Sequence, residues 1–182
     1  EEIVVDKMAM IPSEQVMVSV TSDGYMKRVS LRSYQAANTF VPKLKEEDTL
    51  VGYKEANTLQ QLIFFTNTGT YGYLPIYELD EAKWKDVGSH INAKMKITPQ
   101  EKICNAYTFT SFDSDLYMVS ITRKGMIKRT PLKEFEVSRN NKTMTAMKIN
   151  KDDSLLCTLY SCKDDEIVLL SKKGFMVRYP LA

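Results

Sequence analysis

The chain has 182 residues, of which 43% are hydrophobic and 26% charged, as in an ordinary soluble protein. Its longest apolar runs, 62–65 and 167–170, are strand-sized and far below the roughly 18 residues of a membrane-spanning helix. The net charge of +2 is uneven: residues 1–120 carry 12 basic and 16 acidic side chains, residues 121–182 carry 13 and 7. We therefore expect a polyanion to meet the later part of the chain more strongly.

The chain opens with Glu1, without an initiator Met or a signal-peptide pattern. We interpret residues 1–182 as a single domain, a fragment of a longer protein. Cys104, Cys157 and Cys162 form neither a disulfide framework nor paired zinc knuckles, and His90 is remote from them in sequence. We expect three buried or partly buried free thiols and no metal site.

Four segments align in chain order on a glycine: 18–31, 64–76, 119–132 and 169–181. The aligned residues are Gly24, Gly69, Gly125 and Gly174, which are 45, 56 and 49 residues apart. A period of this length is typical of blade-like or solenoid repeats, in which one unit cannot bury its apolar face alone. We refer to the four segments as repeats one to four.

Each repeat has the pattern of a β-hairpin. An apolar strand reaches a Thr or Ser three residues before the glycine, two polar or small residues make the turn, and the glycine takes a left-handed conformation. Pro75, Pro131 and Pro180 are expected to end the return strand six residues after the glycine, since proline cannot donate to the ladder. Ser30 takes that place in the first repeat.

Further strands are predicted at 49–53, 103–109 and 155–160, separated from the next hairpin by polar turns at 55–58, 113–115 and 163–166. Each unit then has about four short strands, which predicts an all-β fold of about four repeats. Long helices are not evident, and short helical turns are expected near 79–85 and 131–135. Trp84, the sole tryptophan, is predicted to be a packing anchor between blades.

The segments 24–31 and 125–132, Gly-Tyr-Met-Lys-Arg-Val-Ser-Leu and Gly-Met-Ile-Lys-Arg-Thr-Pro-Leu, resemble the repeat of the C-terminal domains of the A subunits of DNA gyrase and its paralogue topoisomerase IV. So does the segment 62–69. The resemblance implies a β-pinwheel, a disc of four-stranded blades that exchange strands, with duplex DNA around a basic outer rim. It also implies a cytoplasmic, nucleoid-associated domain that is not itself an enzyme and holds no cofactor. Its implied partners are the rest of the A subunit, together with the ATPase B subunit, while ATP and magnesium are used elsewhere in the parent enzyme.

One segment departs from the resembled family. Gyrase A subunits carry an Arg- and Gly-rich box after the first repeat, where this chain has Gln35-Ala36-Ala37-Asn38-Thr39-Phe40-Val41. Only the leading glutamine remains. A loop without those arginines and glycines has lost charge for phosphate and backbone freedom, so we do not expect complete DNA wrapping. The departure favours the topoisomerase IV paralogue, whose implied work is decatenation and relaxation.

Candidate phosphate ligands recur on the hairpins and on the loops after them, because cations that displace counterions bind duplex DNA without reading its sequence. The candidates are Lys27, Arg28 and Arg32 in the first repeat; Arg123, Lys124, Lys128, Arg129 and Lys133 in the third; Arg139, Lys142 and Lys148 in the loop after the third; and Lys172, Lys173 and Arg178 in the fourth. Any one of them alone is equally compatible with a solubilising surface charge. Adjacent strand residues point to opposite faces, so Lys27 and Arg28 cannot both face the rim equally.

The second repeat breaks the basic pattern, since Gly72 and Tyr73 replace the Lys-Arg pair and Glu78, Asp80 and Glu81 follow. We expect the second blade to contact DNA least, and charge reversal at Lys128 and Arg129 to weaken binding more than a change at Tyr73.

No catalytic constellation is evident. The tyrosines of the strands are expected to be packing residues, and the acidic clusters 113–115 and 164–166 to be hairpin turns rather than magnesium ligands. Two alternatives stay open beside DNA binding. One is a propeller-like scaffold for protein partners, which an exposed apolar patch of Phe40, Val41 and Leu44 away from the basic rim would favour. The other is a small-molecule sensor with a ligand at the hub.

Overall fold

The computed structural model describes residues 10–181. The thirteen strands are β1 Gln15–Thr21, β2 Tyr25–Ser30, β3 Leu50–Asn57, β4 Gln61–Thr66, β5 Thr70–Pro75, β6 Ser89–His90, β7 Ile103–Phe109, β8 Tyr117–Thr122, β9 Ile127–Pro131, β10 Met144–Thr145, β11 Leu155–Ser161, β12 Glu166–Leu170 and β13 Met176–Pro180. Short helices follow four of the strands. The α-helix α1 (Leu31–Gln35) follows β2, and 3-10 helices follow β5, β6 and β9 at Ile76–Glu78, Ile91–Ala93 and Leu132–Phe135. The all-β expectation is confirmed.

The hairpin turns have the predicted chemistry. All four aligned glycines have φ between 82° and 94°, in the left-handed region that favours glycine. In repeat one the Gly24 amide donates to the Thr21 carbonyl at 3.1 Å, while the Thr21 hydroxyl accepts from the Tyr25 amide at the same distance. The equivalent hydroxyl bonds recur at Thr122 and Ser171. The recurring spacing of hydroxyl and glycine therefore closes each of these turns from both sides.

The strands form four antiparallel sheets, here named blades from the inner to the outer strand: blade 1 is β3-β1-β2-β6, blade 2 is β7-β4-β5-β10, blade 3 is β11-β8-β9, and blade 4 is β12-β13. The inner strands β3, β7 and β11 contact one another in that order, with β7 in the middle, and so define the hub. The outer strands lie toward the rim.

Neighbouring repeats exchange strands. The loop after the second repeat returns to blade 1, where β6 pairs with β2, and the loop after the third repeat returns to blade 2, where β10 pairs with β5. Each of these added strands has two residues. The exchange implied by the family resemblance is thereby confirmed, and it means that a repeat of the sequence and a blade of the structure are different units.

The core lies between the blades. Alternate residues of β4 point to opposite sides, as a strand requires: Leu62 and Phe64 pack with blade 1, whereas Ile63 and Phe65 pack with blade 3. Both faces of this strand are thus buried, which explains its continuous apolar run. Trp84, which is 1% exposed, joins Met17, Val29 and Ala37 in a separate cluster. It is a packing residue, as predicted, but it packs on blade 1 and the loop after β2 and not between two blades.

Several predicted elements need correction. No helix forms at 79–85; the 3-10 helix lies earlier, at Ile76–Glu78, because residues 80–82 bond to Arg28 along blade 1. Only a single turn follows, closed by the Asp86 amide on the Lys83 carbonyl at 3.0 Å. The helix at 132–135 is confirmed. The short helix α1 was not predicted; it begins after Ser30, whose hydroxyl accepts from the Ser33 amide as an N-cap. Within residues 10–181 no helix has the length and apolarity to cross a membrane.

Candidate nucleic-acid interface

The loop after the third repeat runs along the outer edge of blade 2. It enters at Val137, whose carbonyl accepts from the Tyr73 hydroxyl at 2.8 Å, and the Asn140 side-chain amide then donates to the Tyr73 carbonyl at 3.1 Å. Further on, β10 pairs with Tyr71 and Thr70, and the Ala146 amide donates to the Gly69 carbonyl at 2.9 Å. The loop therefore follows the whole length of β5, from the end next to the 3-10 helix Ile76–Glu78 to the hairpin turn at Gly69.

A stripe of cations follows this loop. The Lys96 amide donates to the Asn141 carbonyl at 3.0 Å and the Lys96 carbonyl accepts from Thr143 at 3.3 Å, so Lys96 and Lys142 lie side by side. The Lys128 ammonium reaches the Ala146 carbonyl at 2.8 Å. We name as the blade 2 stripe the exposed cations Lys96, Lys128, Arg139, Lys142 and Lys148. None of them pairs with an acid among residues 10–181, and Glu136 is the only acidic residue of the loop 136–149.

A buried carboxylate fastens the turn beneath this stripe. Glu101 is 5% exposed and accepts from the Thr70 hydroxyl and, at 2.6 Å, from the Thr98 amide. Burial raises the pKa of Glu101, but hydrogen bonds from Thr70, Thr98 and Thr143 outweigh it, so the net pKa lies below the ordinary value. The charge stays inside the protein and holds the 98–101 turn to the base of β5.

The outer edge of blade 1 is built alike but charged differently. The segment 79–91 runs along β2, where the Arg28 amide donates to the Asp80 carbonyl at 3.2 Å and the Ala82 amide donates back at 3.0 Å. Asp80 pairs with Lys94 at 3.1 Å, and Glu81 lies 3.8 Å from Arg28. Hydrogen bonds from Ser89 and Lys94 lower the pKa of Asp80. The acids of the second repeat therefore neutralise the edge of blade 1, not that of blade 2.

Lys27 is buried and bonds to the backbone of the segment along blade 1. Its side chain is 1% exposed, and its ammonium donates to the carbonyls of Lys83 at 3.4 Å, Trp84 at 2.8 Å and Asp86. It also lies 5.2 Å from the centroid of the Trp84 ring. Burial lowers the pKa of Lys27 to about 8, partly opposed by Asp86. A DNA phosphate has no access to this group, so we leave Lys27 out of the proposed interface.

In the first three repeats, the residue four positions after the turn glycine joins its blade to a segment of the next repeat. The Arg28 side chain donates to the Leu79 carbonyl at 2.8 Å, the Tyr73 hydroxyl to Val137, and Arg129 to the Leu181 carbonyl. Arg129 also donates to Lys163 at 3.1 Å and stacks 3.7 Å from the Tyr117 ring centroid. An arginine and a tyrosine make the same kind of contact here, because both donate to a backbone carbonyl of the next repeat. The basic character of Arg28 and Arg129 is thus used within the protein.

The remaining predicted cations are exposed but lie elsewhere. The turn surface holds Arg123, Lys124, Lys172 and Lys173, whereas Arg32 and Lys133 follow β2 and β9 at the ends opposite the turns, and Arg178 lies within β13. Lys124 pairs with Asp152, Lys133 with Asp113 at 2.6 Å, and Arg178 with Glu166 at 2.9 Å. The structure does not place all predicted ligands along one edge.

Lys96 was not predicted from the sequence because it lies in no repeat motif. No local signal identifies it; only its pairing with the segment 141–143, 45 or more residues away in the chain, brings it to Lys142. The same strand exchange removes the reason for expecting the second blade to contact DNA least, namely that its edge lacks cations. That premise counted the charges of the second repeat, but the third repeat's loop supplies the edge of blade 2.

Other reactive groups do not assemble into a site. The cysteines are free, as predicted, but Cys162 is exposed and not partly buried. Burial raises the pKa of the Cys104 and Cys157 thiols. Among residues 10–181 no three His, Cys, Asp or Glu side chains form a metal-binding group. The Tyr71 and Tyr73 hydroxyls donate to backbone carbonyls, in accord with packing roles.

Strand-exchanging antiparallel blades arranged around the inner strands β3, β7 and β11 define a propeller-like class of all-β domain, and the comparisons with known proteins agree. The family described as "DNA gyrase C-terminal domain, beta-propeller" matches residues 15–52, 60–105, 116–156 and 165–182. The chain belongs to this family, and its fold is the β-pinwheel.

Within this family, the chain is similar to A subunits of topoisomerase IV. The A subunit of DNA topoisomerase 4 from Staphylococcus aureus (strain MRSA252) is 36% identical over 98% of this chain, which spans 22% of that relative's length. The crystal structure of the C-terminal domain of DNA topoisomerase IV superposes with a TM-score of 0.82 at 37% identity, covering 94% of this chain and 53% of the other. The E. coli ParC C-terminal domain, at 15% identity, has a TM-score of 0.70 over 93% of this chain and 66% of its own, which shows the shared fold. These similarities agree with the paralogue that the altered box favours.

Proposed function

We propose that this domain binds duplex DNA without sequence specificity along its outer rim, bends it, and presents it to the core of a type II topoisomerase for decatenation and relaxation. The observation that carries the proposal is the blade 2 stripe. Its cations are exposed and aligned, with no acid paired to them among the described residues, so they can replace counterions on phosphates. Arg123, Lys172 and Lys173 on the turn surface are secondary candidates.

Low sequence specificity follows from the architecture. No helix among residues 10–181 exceeds the five residues of α1, so none of the described helices can serve as a recognition helix in the major groove. Contacts to phosphates fix position without reading bases. Any preference among duplexes is therefore expected to come from how easily the DNA bends.

The wider setting is also a proposal, because the chain spans less than a quarter of the curated relative it matches. We propose that the domain works beside the rest of the A subunit, together with the ATPase B subunit, in the cytoplasm on the nucleoid. It would contribute no catalytic residue or cofactor, and ATP and magnesium would act elsewhere in the enzyme. A protein scaffold is less favoured, since Leu44 is half-buried and leaves only Phe40 and Val41 exposed, with the exposed Lys43 two residues beyond Val41.

Salt-dependent DNA binding tests the proposal. Fluorescence anisotropy of a labelled non-specific duplex should show affinity falling by about a thousandfold between about 50 and 200 mM salt, if about six phosphates are contacted. A duplex of scrambled sequence and equal length serves as the control and should bind equally. Absence of binding at low salt, or an affinity insensitive to salt, would contradict the proposal.

A further inference from the structure

An apolar tip projects from the loop that replaces the basic box. Phe40 is 78% exposed and Val41 59% exposed, in contrast to the buried cores between the blades. The tip has a defined turn, in which the Thr39 hydroxyl contacts both the amide and the carbonyl of Val41 at 3.4 and 3.3 Å. A large aromatic side chain held out into solvent by an ordered turn calls for a partner.

Trp84 anchors this tip from the neighbouring repeat. Its indole N–H donates to the Thr39 carbonyl at 2.9 Å, and its own carbonyl accepts from Lys27 and, at 3.5 Å, from the Lys43 amide. The Tyr34 ring packs edge-on against the indole at a centroid distance of 4.7 Å. The base of the tip is therefore rigid, and little ordering entropy remains to be lost when the tip meets a partner.

Three exposed lysines lie near the base of the tip, around Trp84. Lys83 and Lys85 flank Trp84 in sequence and line, with it, a depression of about 200 Å³ beside Ala36 and Ala37, at the start of the loop that carries Phe40. Lys43 lies two residues beyond Val41, and all three lysines are exposed. The neighbouring acids are Asp86, whose carboxylate accepts from the Lys83 amide at 3.1 Å, and the exposed Glu46 and Glu47 that follow Lys43. An exposed aromatic side chain with lysines near it matches a polyanion that also has an apolar interior, even though acids offset part of the charge at this edge.

We propose that Phe40, supported by Val41, inserts between base pairs of the bound duplex and bends it at that step, while Lys43, Lys83 and Lys85 hold the flanking phosphates. Stacked bases are the apolar interior that a protein wedge can enter, and inserted side chains unstack a step and kink the duplex. Charge complementarity favours duplex DNA over a protein surface. This inference rests on the proposed DNA-binding function. It assigns the bend to Phe40, in the segment 35–41 that stands in place of the Arg- and Gly-rich box.

Base unstacking gives the test. A short duplex with one central TpA step, the kind that kinks readily, carries 2-aminopurine at that step and a fluorescence donor and acceptor at its ends. The full chain should raise the 2-aminopurine emission and shorten the end-to-end distance. Phe40→Ala should abolish the emission rise, lengthen the distance and weaken binding by about tenfold, with an unchanged unfolding midpoint because the side chain is exposed.

Phe175→Ala is the matched control, since Phe175 is 74% exposed beside Lys172 and Lys173 but lies on the hairpin of blade 4. It should leave the 2-aminopurine signal intact. Wild-type binding with no emission rise, or an equal response of both variants, would overturn insertion while leaving DNA binding standing. Loss of self-association by Phe40→Ala with unchanged DNA bending would also overturn it. Failure of the wild-type chain to bind the duplex would instead overturn the proposed function.

Discussion

The outer edges of blades 1 and 2 share one design and differ in how their charges are used. In both, a two-residue strand from the following repeat closes the edge. At blade 1 the added segment brings Asp80 and Glu81, and the strand lysine Lys27 is buried beneath three carbonyls. At blade 2 the added segment brings Arg139, Lys142 and Lys148, and they remain exposed.

The difference shows that the charge of a repeat does not predict the charge of the blade with the same number. Strand exchange moves each loop back by one blade, so that the acidic loop of the second repeat lies on blade 1 and the basic loop of the third on blade 2. Lysines at equivalent sequence positions also diverge. Lys27 is 1% exposed, whereas Lys128, three residues after its own glycine, is an exposed residue with one carbonyl partner.

The largest expected effect separates those two lysines. Lys27→Met keeps much of the buried stem but leaves the carbonyls of residues 83, 84 and 86 without their donor, so we expect the free energy of unfolding to fall by about 3 kcal/mol. Lys128→Met should change it by less than about 0.5 kcal/mol, as for a surface position. Urea unfolding followed by tryptophan fluorescence measures both. Equal losses would show that the two blade edges are held alike.

The next effect concerns DNA affinity. Arg139→Glu with Lys142→Glu reverses two cations of the blade 2 stripe and should weaken duplex binding by about a hundredfold at about 0.1 M salt, with the salt slope reduced by about two. Lys83→Glu with Lys85→Glu at blade 1 should cost about tenfold, because acids already offset that edge. Anisotropy titrations at several salt concentrations make the comparison. A larger loss from the blade 1 pair would reverse our ranking of the edges.

A smaller effect is expected where blade 2 joins blade 3. Tyr73→Phe removes the hydroxyl that donates to the Val137 carbonyl and, at 3.1 Å, accepts from the Val137 amide. We expect unfolding to become easier by about 1.5 kcal/mol, with DNA affinity unchanged when measured well below the unfolding midpoint. Tyr77→Phe, at a half-buried position, serves as the control. A specific loss of DNA binding by Tyr73→Phe would give this hydroxyl a role in recognition beyond joining blades.

The smallest effect is a pH dependence at blade 1. The pKa of Lys27 is about 8 in the folded protein against 10.5 for an ordinary lysine. Between these values the unfolded chain holds more protons, so the contribution of this group to the unfolding free energy increases with pH. Relative to Lys27→Met, the wild type should gain about 1 kcal/mol from pH 7 to pH 9. A parallel pH profile for the two proteins would contradict the assigned pKa.

Local chemistry made much of the fold predictable. Gly24, Gly69, Gly125 and Gly174 impose the turns, and the prolines end the return strands because of fixed backbone preferences that the sequence displays. The strand 103–109 was predicted with its observed bounds. The two-residue strands β6 and β10 carry no such pattern, since their pairing depends on contacts between repeats. For the same reason neither Lys96 beside Lys142 nor the burial of Lys27 was predicted.

Lysine footprinting tests most directly whether DNA lies along the edge that strand exchange creates. The chain is acetylated with and without a saturating non-specific duplex, and each lysine is quantified by mass spectrometry, with Lys54 on the inner strand β3 as an exposed internal reference. We predict strong protection of Lys96 and Lys142 together and none of Lys54. Protection of Lys54 with Lys96 and Lys142 left reactive would contradict DNA binding along the rim of blade 2.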